Sequence, residues 1–340
     1  MIEMPQVLPE IPREMPRASG DLLSHLLGTM HLAGMVMFRA EFREPWSVMT
    51  PGTQRLAQVL PFRTEHIIPF HVIATGGCWL QMPEQEPVWL NEGDAVLMPY
   101  GTSHLLSGRE AATPVPLGQL LPRPPGGDDD LVVEYGGAGA VTSIICGFVQ
   151  CDELLFNPML RHLPTLLHVS PASTPADNWL ASTIRFTASE ASKPMPGSRC
   201  MLQRLTELMF VEILRKHMQG LSAEQIGWFA ACNDAVAGAA LKCLHAAPLH
   251  NWHLESLARQ VGVSRTVLVE RFKHFLNQPP MQYLAHWRLQ LAAQQLKVGD
   301  LPMKTIADQI GYESEAAFSR AFKRHFGSPP GNWRKQQARD

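Results

Sequence analysis

Residues 254–284 read LESLARQVGVSRTVLVERFKHFLNQPPMQYL, and residues 304–334 read KTIADQIGYESEAAFSRAFKRHFGSPPGNWR. Both stretches contain the same features in the same order: an apolar residue beside alanine, a glycine, a serine, spaced phenylalanines and a closing Pro-Pro. The matched positions include Val261-Gly262 with Ile310-Gly311, Ser264 with Ser314, Phe272-Lys273 with Phe322-Lys323, and Pro279-Pro280 with Pro329-Pro330. A repeat of about 50 residues predicts one supersecondary unit that is used twice.

Each copy has the spacing of two short helices joined by a tight turn. Apolar residues recur at helical intervals over Leu254–Val261, which predicts a helix with one apolar face. Gly262 ends this helix because glycine adopts a left-handed turn without steric cost, and Ser264 is a candidate N-cap for the next helix. The second helices, predicted over Ser264–Phe275 and Ser314–Phe326, turn phenylalanines inward and polar residues outward. Two helices joined in this way form a helix-turn-helix.

These residues closely resemble the C-terminal DNA-binding domain of the AraC family of transcription regulators. The resemblance covers Trp252–Arg334 and includes RLQLAAQQL at 288–296 and IADQIGYESEAAFSRAFKRHFG at 306–327. It implies a one-component, effector-responsive regulator whose two recognition helices enter successive major-groove segments of double-stranded DNA. It also implies RNA polymerase as a partner and activation as the usual outcome.

The resemblance also assigns DNA contacts to particular positions. The candidates for reading bases are Arg265, Thr266, Val269 and Glu270 in the first helix and Glu315, Ala316 and Arg320 in the second. The candidates for binding phosphates are Arg265, Lys273, Arg288, Lys304, Lys323 and Arg324. A valine or alanine offers apolar contact to a thymine methyl, and a glutamate accepts a hydrogen bond from a cytosine amino group. Phosphate contacts set register rather than sequence.

Composition and charge agree with this interpretation. The 340 residues are 45% hydrophobic and 18% charged, as expected for a soluble chain with room for two domains. From Pro248 onward there are 13 Lys and Arg and 7 Asp and Glu, a net charge of +6, whereas the preceding part carries −8. A basic module is attracted to DNA and an acidic one is repelled. Nothing indicates a secretory leader or a membrane span, so a cytoplasmic location with reduced cysteines is expected.

The first half alternates short β-like runs with turn residues, which predicts a sandwich or barrel. The predicted strands are Gly34–Phe42, Ile67–Ala74, Cys78–Met82, Val88–Leu90, Ala95–Pro99, Leu131–Tyr135 and Val141–Val149. GDAVLMPYGTSH at 93–104 resembles the second motif of the cupin superfamily, and FHVIATGGCWL at 70–80 resembles the first. The His-x-His pair and downstream Glu of metal-binding cupins are missing. Residues 34–164 most resemble the cupin-type sensor domains that are fused to AraC modules.

The function of the barrel is left open by its residues. His71 and His104, joined by His66 or a cysteine, are candidate ligands for a divalent metal such as zinc or iron. His66, His71, Trp79 and His104 are also candidates for lining an effector pocket, since barrels of this size hold one small ligand.

Two further hypotheses concern reactive groups in the same half. Cys78, or the pair Cys146 and Cys151, are candidate redox sensors, provided that the thiol is accessible and has a lowered pKa. A cupin-fold metalloenzyme, an isomerase or dioxygenase carrying a DNA-binding tail, is the alternative to a regulator without enzymatic activity. An adaptor without an effector is a third possibility, which a barrel filled by its own side chains would favour.

Two amphipathic helices are predicted over Ala176–Ser192 and Ser198–Gln219. The second has a wide apolar stripe formed by Leu202, Leu205, Met209, Ile213 and Met218. In related regulators this region pairs two subunits, so the resemblance implies a homodimer of C2 type. A helix that is docked on the barrel is the alternative.

The sequence therefore predicts a multidomain α+β chain. A flexible arm is expected over 1–20, a cupin-like β-barrel sensor over 21–164 and a helical linker or dimerisation region over 165–247. An all-α AraC-type DNA-binding domain is expected over 248–340, with helix-turn-helix units at about 252–284 and 300–334.

Overall fold

A computed structural model describes residues 22–29, 32–53, 66–110, 112–121, 132–151, 162–170, 178–193, 195–222, 224–299 and 301–337. The arm expected over 1–20 lies outside these residues. The chain divides into two compact units. The unit that contains the predicted sensor, here called the sensor unit, comprises the described parts of Leu32–Asp152 and Leu163–Gly220. The unit that contains the predicted DNA-binding domain, here called the DNA-binding unit, comprises those of Met1–His31, Glu153–His162 and Leu221–Asp340.

The sensor unit is built on two facing sheets. Its strands are β1 (Leu32–Arg43), β2 (Ser47–Thr50), β3 (His66–Thr75), β4 (Gly77–Gln81), β5 (Val88–Asn91), β6 (Ala95–Leu97), β7 (His104–Ser107), β8 (Val115–Pro116), β9 (Val132–Gly136), β10 (Val141–Cys151) and β11 (Leu167–Val169). One sheet has six strands in the order β11-β6-β3-β10-β1-β9, and the other has five in the order β5-β4-β7-β2-β8. The seven predicted strands are all present, and the cupin-like barrel is confirmed.

The core of the sensor unit fills the space between the sheets. Alternating residues point inward because successive side chains of a strand face opposite sides. The fully buried members of this core include Phe42, Trp46, Ile73, Leu90 and Met98. Among the described residues, these side chains form one continuous apolar core.

The sensor unit also contains helices α2 (Leu117–Leu120), α3 (Asn178–Ser192) and α4 (Ser198–Gln219). Helix α4 packs on β1, and Gly34 allows the close approach because a Cβ there would lie 2.6 Å from Thr206 Cβ. Leu202, Met209 and Ile213 of the predicted stripe are buried. The prediction that this stripe forms the subunit interface is therefore wrong; most of it anchors the helix on the barrel.

The DNA-binding unit is helical throughout its described residues. Its helices are α1 (Leu22–Thr29), α5 (Trp228–Asn233), α6 (Ala235–Ala246), α7 (Leu254–Val261), α8 (Arg265–Leu276), α9 (Pro280–Val298), α10 (Met303–Gln309), α11 (Glu315–Phe326) and α12 (Pro330–Gln337). Among the described residues of both units, no helix is long and apolar enough to cross a membrane.

The compact units of the structure differ from the predicted domains in two places. Helix α1, which was assigned to the sensor, packs on α6 within the DNA-binding unit. The predicted region over 165–247 is divided at Gly220, because α3 and α4 belong to the barrel whereas α5 and α6 pack on the first helix-turn-helix. Tyr283 of α9 is hydrogen-bonded to α5 and α6, with its hydroxyl 3.0 Å from Trp228 Nε1 and 2.7 Å from His245 Nε2.

The two helix-turn-helix units repeat the same backbone hydrogen bonds. Gly262 and Gly311 adopt left-handed φ angles of 79° and 81°. The following N–H groups donate back to the first helix of each unit, Val263 N to Ala258 O at 3.0 Å and Tyr312 N to Ala307 O at 2.9 Å. The serine N-caps accept from Val267 N and Ala317 N, both at 3.2 Å. The predicted repeat is thus a repeat of local structure.

Candidate functional site

Helices α8 and α11, the candidate recognition helices, are held in place by buried contacts on one side. On α8, Phe272 is fully buried, and the Arg271 guanidinium forms an ion pair with Asp234, the N-cap of α6. On α11, Phe318 and Phe322 are fully buried, with ring centroids 5.5 Å apart. These contacts fix the orientation of the opposite face of each helix.

The opposite faces expose most residues that the sequence assigns to DNA. The exposed residues are Arg265, Thr266, Glu270, Lys273, Glu315, Ala316, Arg320, Lys323 and Arg324, with Lys304 in α10, whereas Val269 is partly buried. Within the described part of the chain, the side chains of Arg265, Lys273, Arg320 and Lys323 form no ion pair or hydrogen bond. Each helix therefore presents cationic donors that have no partner among the described residues.

One exposed residue on this surface was missed. Val267 lies in the first turn of α8 and is 40% exposed, more than its neighbour Val269. A signal was available in the sequence, because Val267 falls outside the inward spacing of Leu268, Phe272 and Phe275. Its methyl groups suit contact with a thymine methyl.

Arg288 was predicted to bind phosphate, and the structure gives it another role. Its Nε donates to Pro248 O at 2.6 Å and its Nη2 donates to His250 O at 2.7 Å. Burial lowers the pKa of this guanidinium, against the opposing effect of Tyr312. Arg288 therefore ties α9 to the loop after α6, and the prediction of a phosphate contact is withdrawn.

The barrel brings His71 and His104 together with Cys146. The two Nε2 atoms lie 2.7 Å apart, His71 Nδ1 lies 3.1 Å from Cys146 Sγ, and His104 Nδ1 lies 3.1 Å from Thr102 O. A carbonyl oxygen only accepts, so His104 carries its proton on Nδ1 and accepts at Nε2. His71 then donates from Nε2 and accepts the Cys146 thiol proton at Nδ1. This neutral relay satisfies every polar atom that it contains.

Burial keeps both imidazoles uncharged. Desolvation lowers the pKa of His104 to about 4, against the opposing hydrogen bond to Thr102. The pKa of His71 lies well below its ordinary value because of burial and the nearby His104.

The predicted metal site does not fit this arrangement. Each histidine uses its lone pair within the relay, and a tetrahedral zinc with bonds of about 2.0–2.1 Å would hold its two nitrogen ligands about 3.3 Å apart. Among the described residues, no group of three or more His, Cys, Asp or Glu is placed to hold a metal ion. The side chain of His66, the other candidate ligand, lies outside the described residues.

The predicted redox thiols do not have the environment that sensing requires. Burial raises the pKa of Cys78 to about 12, with a further effect of Asp94, and burial also raises the pKa of Cys146. Cys151 is buried as well. Cys146 and Cys151 lie five residues apart on β10, about 16 Å at the rise of a strand, too far for a disulfide. The redox prediction is therefore withdrawn.

Of the residues predicted to line an effector pocket, the described ones lie in different environments. His71 and His104 are buried between the two sheets, whereas Trp79 points outward from β4 and packs against Trp89 at 5.2 Å between ring centroids. Beneath α4, an apolar pocket lined by residues such as Phe70 and Met209 has about 10 Å³, room for about one water molecule.

Comparison with known families matches both halves of the chain. A family model described as cupin covers residues 21–219, and one described as helix-turn-helix domain covers residues 257–336. With the two exposed recognition faces, this combination defines a DNA-binding transcription regulator that has an N-terminal cupin domain.

Individual relatives refine the class. An AraC-like transcription regulator of Streptomyces lividans is 34% identical over 278 residues, 81% of this chain and 88% of that protein. The transcriptional regulator AlkR of Acinetobacter baylyi is 31% identical over 268 residues, 78% of this chain and 87% of that protein. This chain belongs to the AraC family of transcription regulators.

Solved structures give a looser match. ToxT from Vibrio cholerae, with an unsaturated fatty acid bound, aligns with a TM-score of 0.33 and 12% identity over 90% of this chain and 94% of ToxT.

Proposed function

We propose that this regulator binds promoter DNA by placing the N-terminal turns of α8 and α11 in successive major-groove segments. The observation that carries this proposal is the pair of matched helix-turn-helix units, each exposing polar and basic residues on the face opposite its core. Selection of binding sites from random DNA by the full chain tests the proposal. An enriched sequence with two conserved segments supports it, and absence of enrichment contradicts it.

The exposed cations of the two units bind the DNA phosphates in this proposal. Lys273, Lys304, Lys323 and Arg324 supply them together with Arg265. Because each neutralised phosphate releases a counterion, these residues add affinity that falls steeply with salt and is the same for every sequence.

Arg320→Ala is expected to weaken binding to the selected site by about 1–3 kcal/mol and to relax base preference at one position. The reason is that Arg320 is exposed on the second turn of α11 and can donate two hydrogen bonds to a guanine edge. Fluorescence anisotropy against a set of single-base variants of the site measures both effects.

Variants of two other exposed cations serve as comparisons for Arg320→Ala. Lys323→Ala is expected to weaken binding to all sequences alike and to lower the salt slope by about one unit. Arg259→Ala, on α7 where the arginine pairs with Glu255, is expected to change neither. Unchanged discrimination in Arg320→Ala would remove Arg320 from the base-reading residues.

We further propose that two copies of the chain pair through the outer face of the α3–α4 hairpin. Four large apolar side chains there remain 45–51% exposed after α4 docks on the barrel, namely Trp179, Phe186, Met201 and Leu208. Trp179 and Phe186 stand seven residues apart on α3, as do Met201 and Leu208 on α4, so each pair lies on one face of its helix. Such exposed apolar faces favour burial against a partner.

Leu208→Glu is expected to weaken self-association by about tenfold or more, because it places a carboxylate in an apolar interface. Sedimentation velocity over a range of concentrations measures the effect. Leu301→Glu makes the same change at an exposed leucine of the DNA-binding unit and is expected to leave association unchanged. A wild-type chain that is monomeric at all concentrations contradicts the pairing.

The remaining family features are part of the same proposal. The regulator acts in the cytoplasm, contacts RNA polymerase as an activator and has no enzymatic role. The metalloenzyme alternative is disfavoured because His71 and His104 use their lone pairs in the hydrogen-bonded relay.

We propose that a small-molecule effector modulates DNA binding through the cupin domain. The second candidate is an adaptor without an effector, which the close packing of the described core favours.

A further inference from the structure

The exposed face of α8 places an apolar side chain beside a hydrogen-bond acceptor. Val267 is 40% exposed, and Glu270, also exposed, stands three residues further along the helix. Residues at this spacing are neighbours on a helix surface, with Cβ atoms about 5–6 Å apart. Because helical side chains lean toward the N-terminus of their helix, the Glu270 carboxylate extends over the turn that carries Val267. Methyl groups and a carboxylate therefore reach the same small area of a bound partner.

The opposite side of α8 fixes the direction in which this area faces. Leu268 and Phe272 are fully buried. Arg271 forms an ion pair with Asp234, and its guanidinium carbon lies 4.9 Å from the centre of the Phe275 ring. The helix cannot turn about its own axis without losing these contacts.

The Glu270 carboxylate keeps its full capacity to accept hydrogen bonds. Within the described part of the chain, its side chain forms no ion pair or hydrogen bond. On a surface that meets DNA, a carboxylate is repelled by the phosphates, so it weakens binding unless a base donates a hydrogen bond to it. The donors of the major groove are the amino groups of cytosine and adenine.

Of these two bases, cytosine fits the pair of side chains better. Adenine carries the N7 acceptor beside its amino group, which repels a carboxylate. Cytosine carries instead a C–H group at C5, the ring position at which thymine bears its methyl group. An acceptor next to an apolar side chain thus matches an amino group next to a C5 methyl group.

The matched positions of α11 present different chemistry. When Ser264 is aligned with Ser314, Val267 corresponds to Ala317 and Glu270 to Arg320. A guanidinium only donates hydrogen bonds, so Arg320 suits the acceptors of guanine. The combination on α8 is therefore a property of this helix and is not part of the repeat.

We propose that α8 recognises a C5 methyl group beside an exocyclic amino group on the pyrimidine edges of its major-groove segment. Val267 contacts the methyl group, and Glu270 accepts from the amino group. A single 5-methylcytosine presents both groups on one base, and a thymine next to a cytosine presents them on neighbouring base pairs. This inference rests on the proposed binding of α8 in the major groove.

The test uses the full chain and the DNA site that it selects, with affinity measured by fluorescence anisotropy. Each thymine of the site is replaced in turn by uracil, which removes only the methyl group, and each cytosine by 5-methylcytosine, which adds only a methyl group. Val267→Ala removes the apolar contact, and α8 keeps its stability because alanine favours helix. Val236→Ala is the matched control, since Val236 is a half-buried valine in the first turn of α6.

We expect one pyrimidine at which the methyl group raises the affinity of wild type and of Val236→Ala about fourfold, the effect of burying one such group. The effect should vanish in Val267→Ala. If that pyrimidine is a cytosine, 5-methylcytosine is the base recognised; if it is a thymine beside a cytosine, the two-base arrangement is recognised. Either result supports the proposal.

A second exchange tests the amino group. Replacing the cytosine opposite guanine by uracil opposite adenine turns the donor into an acceptor without adding a methyl group. We expect wild type to lose affinity about tenfold, and Glu270→Gln to lose clearly less because its amide both donates and accepts.

Three results overturn the proposal while leaving the proposed DNA binding intact. They are a selected site at which no methyl group changes affinity, a methyl effect that persists in Val267→Ala, and an equal loss in wild type and Glu270→Gln when cytosine is exchanged. A chain that selects no site overturns the proposed function and this inference together.

Discussion

Phe322→Ala is expected to destabilise the second helix-turn-helix by about 3–5 kcal/mol, the cost of truncating a fully buried phenylalanine. Phe322 packs against three aromatic rings, with centroid distances of 5.5 Å to Phe318, 4.5 Å to Phe326 and 5.9 Å to Trp333. Truncation leaves a cavity among rings that α9 and α12 hold in place. The loss approaches the whole stability of a small domain.

Hydrogen exchange of the α11 amides in the full chain measures this loss directly. Protection over residues 315–326 should fall by the stated amount, and affinity for the selected DNA site should fall with it. Phe326→Ala is the matched control, because Phe326 is only partly buried and should cost clearly less. A loss below about 1 kcal/mol in Phe322→Ala would show that the core of this unit is not the one described.

The sensor unit is expected to lose about 3 kcal/mol of stability as the pH falls from about 6.5 to about 4, through His104 alone. Burial holds the pKa of His104 at about 4, below its ordinary value of 6.5. The unfolded chain therefore takes up the proton first, so the stabilisation is complete above pH 6.5 and is lost toward pH 4. Protonated His104 would point an N–H at the N–H of His71 and break the relay.

Denaturant unfolding of the sensor unit at several pH values tests this dependence. His104→Gln keeps an acceptor for His71 and a donor for Thr102 O while removing the titrating ring. The free energy of unfolding of His104→Gln should depend less on pH than that of wild type, because about one fewer proton is taken up on unfolding over the same window. His274→Gln, at an exposed histidine of the other unit, should behave like wild type. A pH dependence in His104→Gln equal to that of wild type would contradict the neutral relay.

The features that short-range chemistry determines were predictable from the sequence. Ser264 and Ser314 are N-caps because a hydroxyl satisfies free amides at a helix start. Gly262 and Gly311 end the preceding helices because they adopt a left-handed backbone. The repeat of these signals in register therefore predicted both units and the exposed faces of α8 and α11.

The features that depend on tertiary packing were not predictable. From the sequence alone, the apolar stripe on α4 could pack against a second subunit or against β1. In the structure it packs against β1, where Gly34 allows the close approach of Thr206. Two histidines at cupin positions are equally consistent, in sequence, with metal ligands and with partners in a hydrogen bond. The 2.7 Å separation of the His71 and His104 nitrogens depends on strands far apart in the sequence. Arg288 bonds to carbonyls about forty residues away.

Hydroxyl-radical footprinting of the full chain on its selected site tests the two-helix account most directly. If α8 and α11 occupy successive major-groove segments, two protected segments should appear on one face of the duplex, with centres about 10 bp apart for each bound copy. A variant that disrupts the α11 surface, such as the double variant Arg320→Ala with Lys323→Ala, should reduce the protection of one segment more than that of the other. A single protected segment per copy, or two segments on opposite faces of the duplex, would contradict the account.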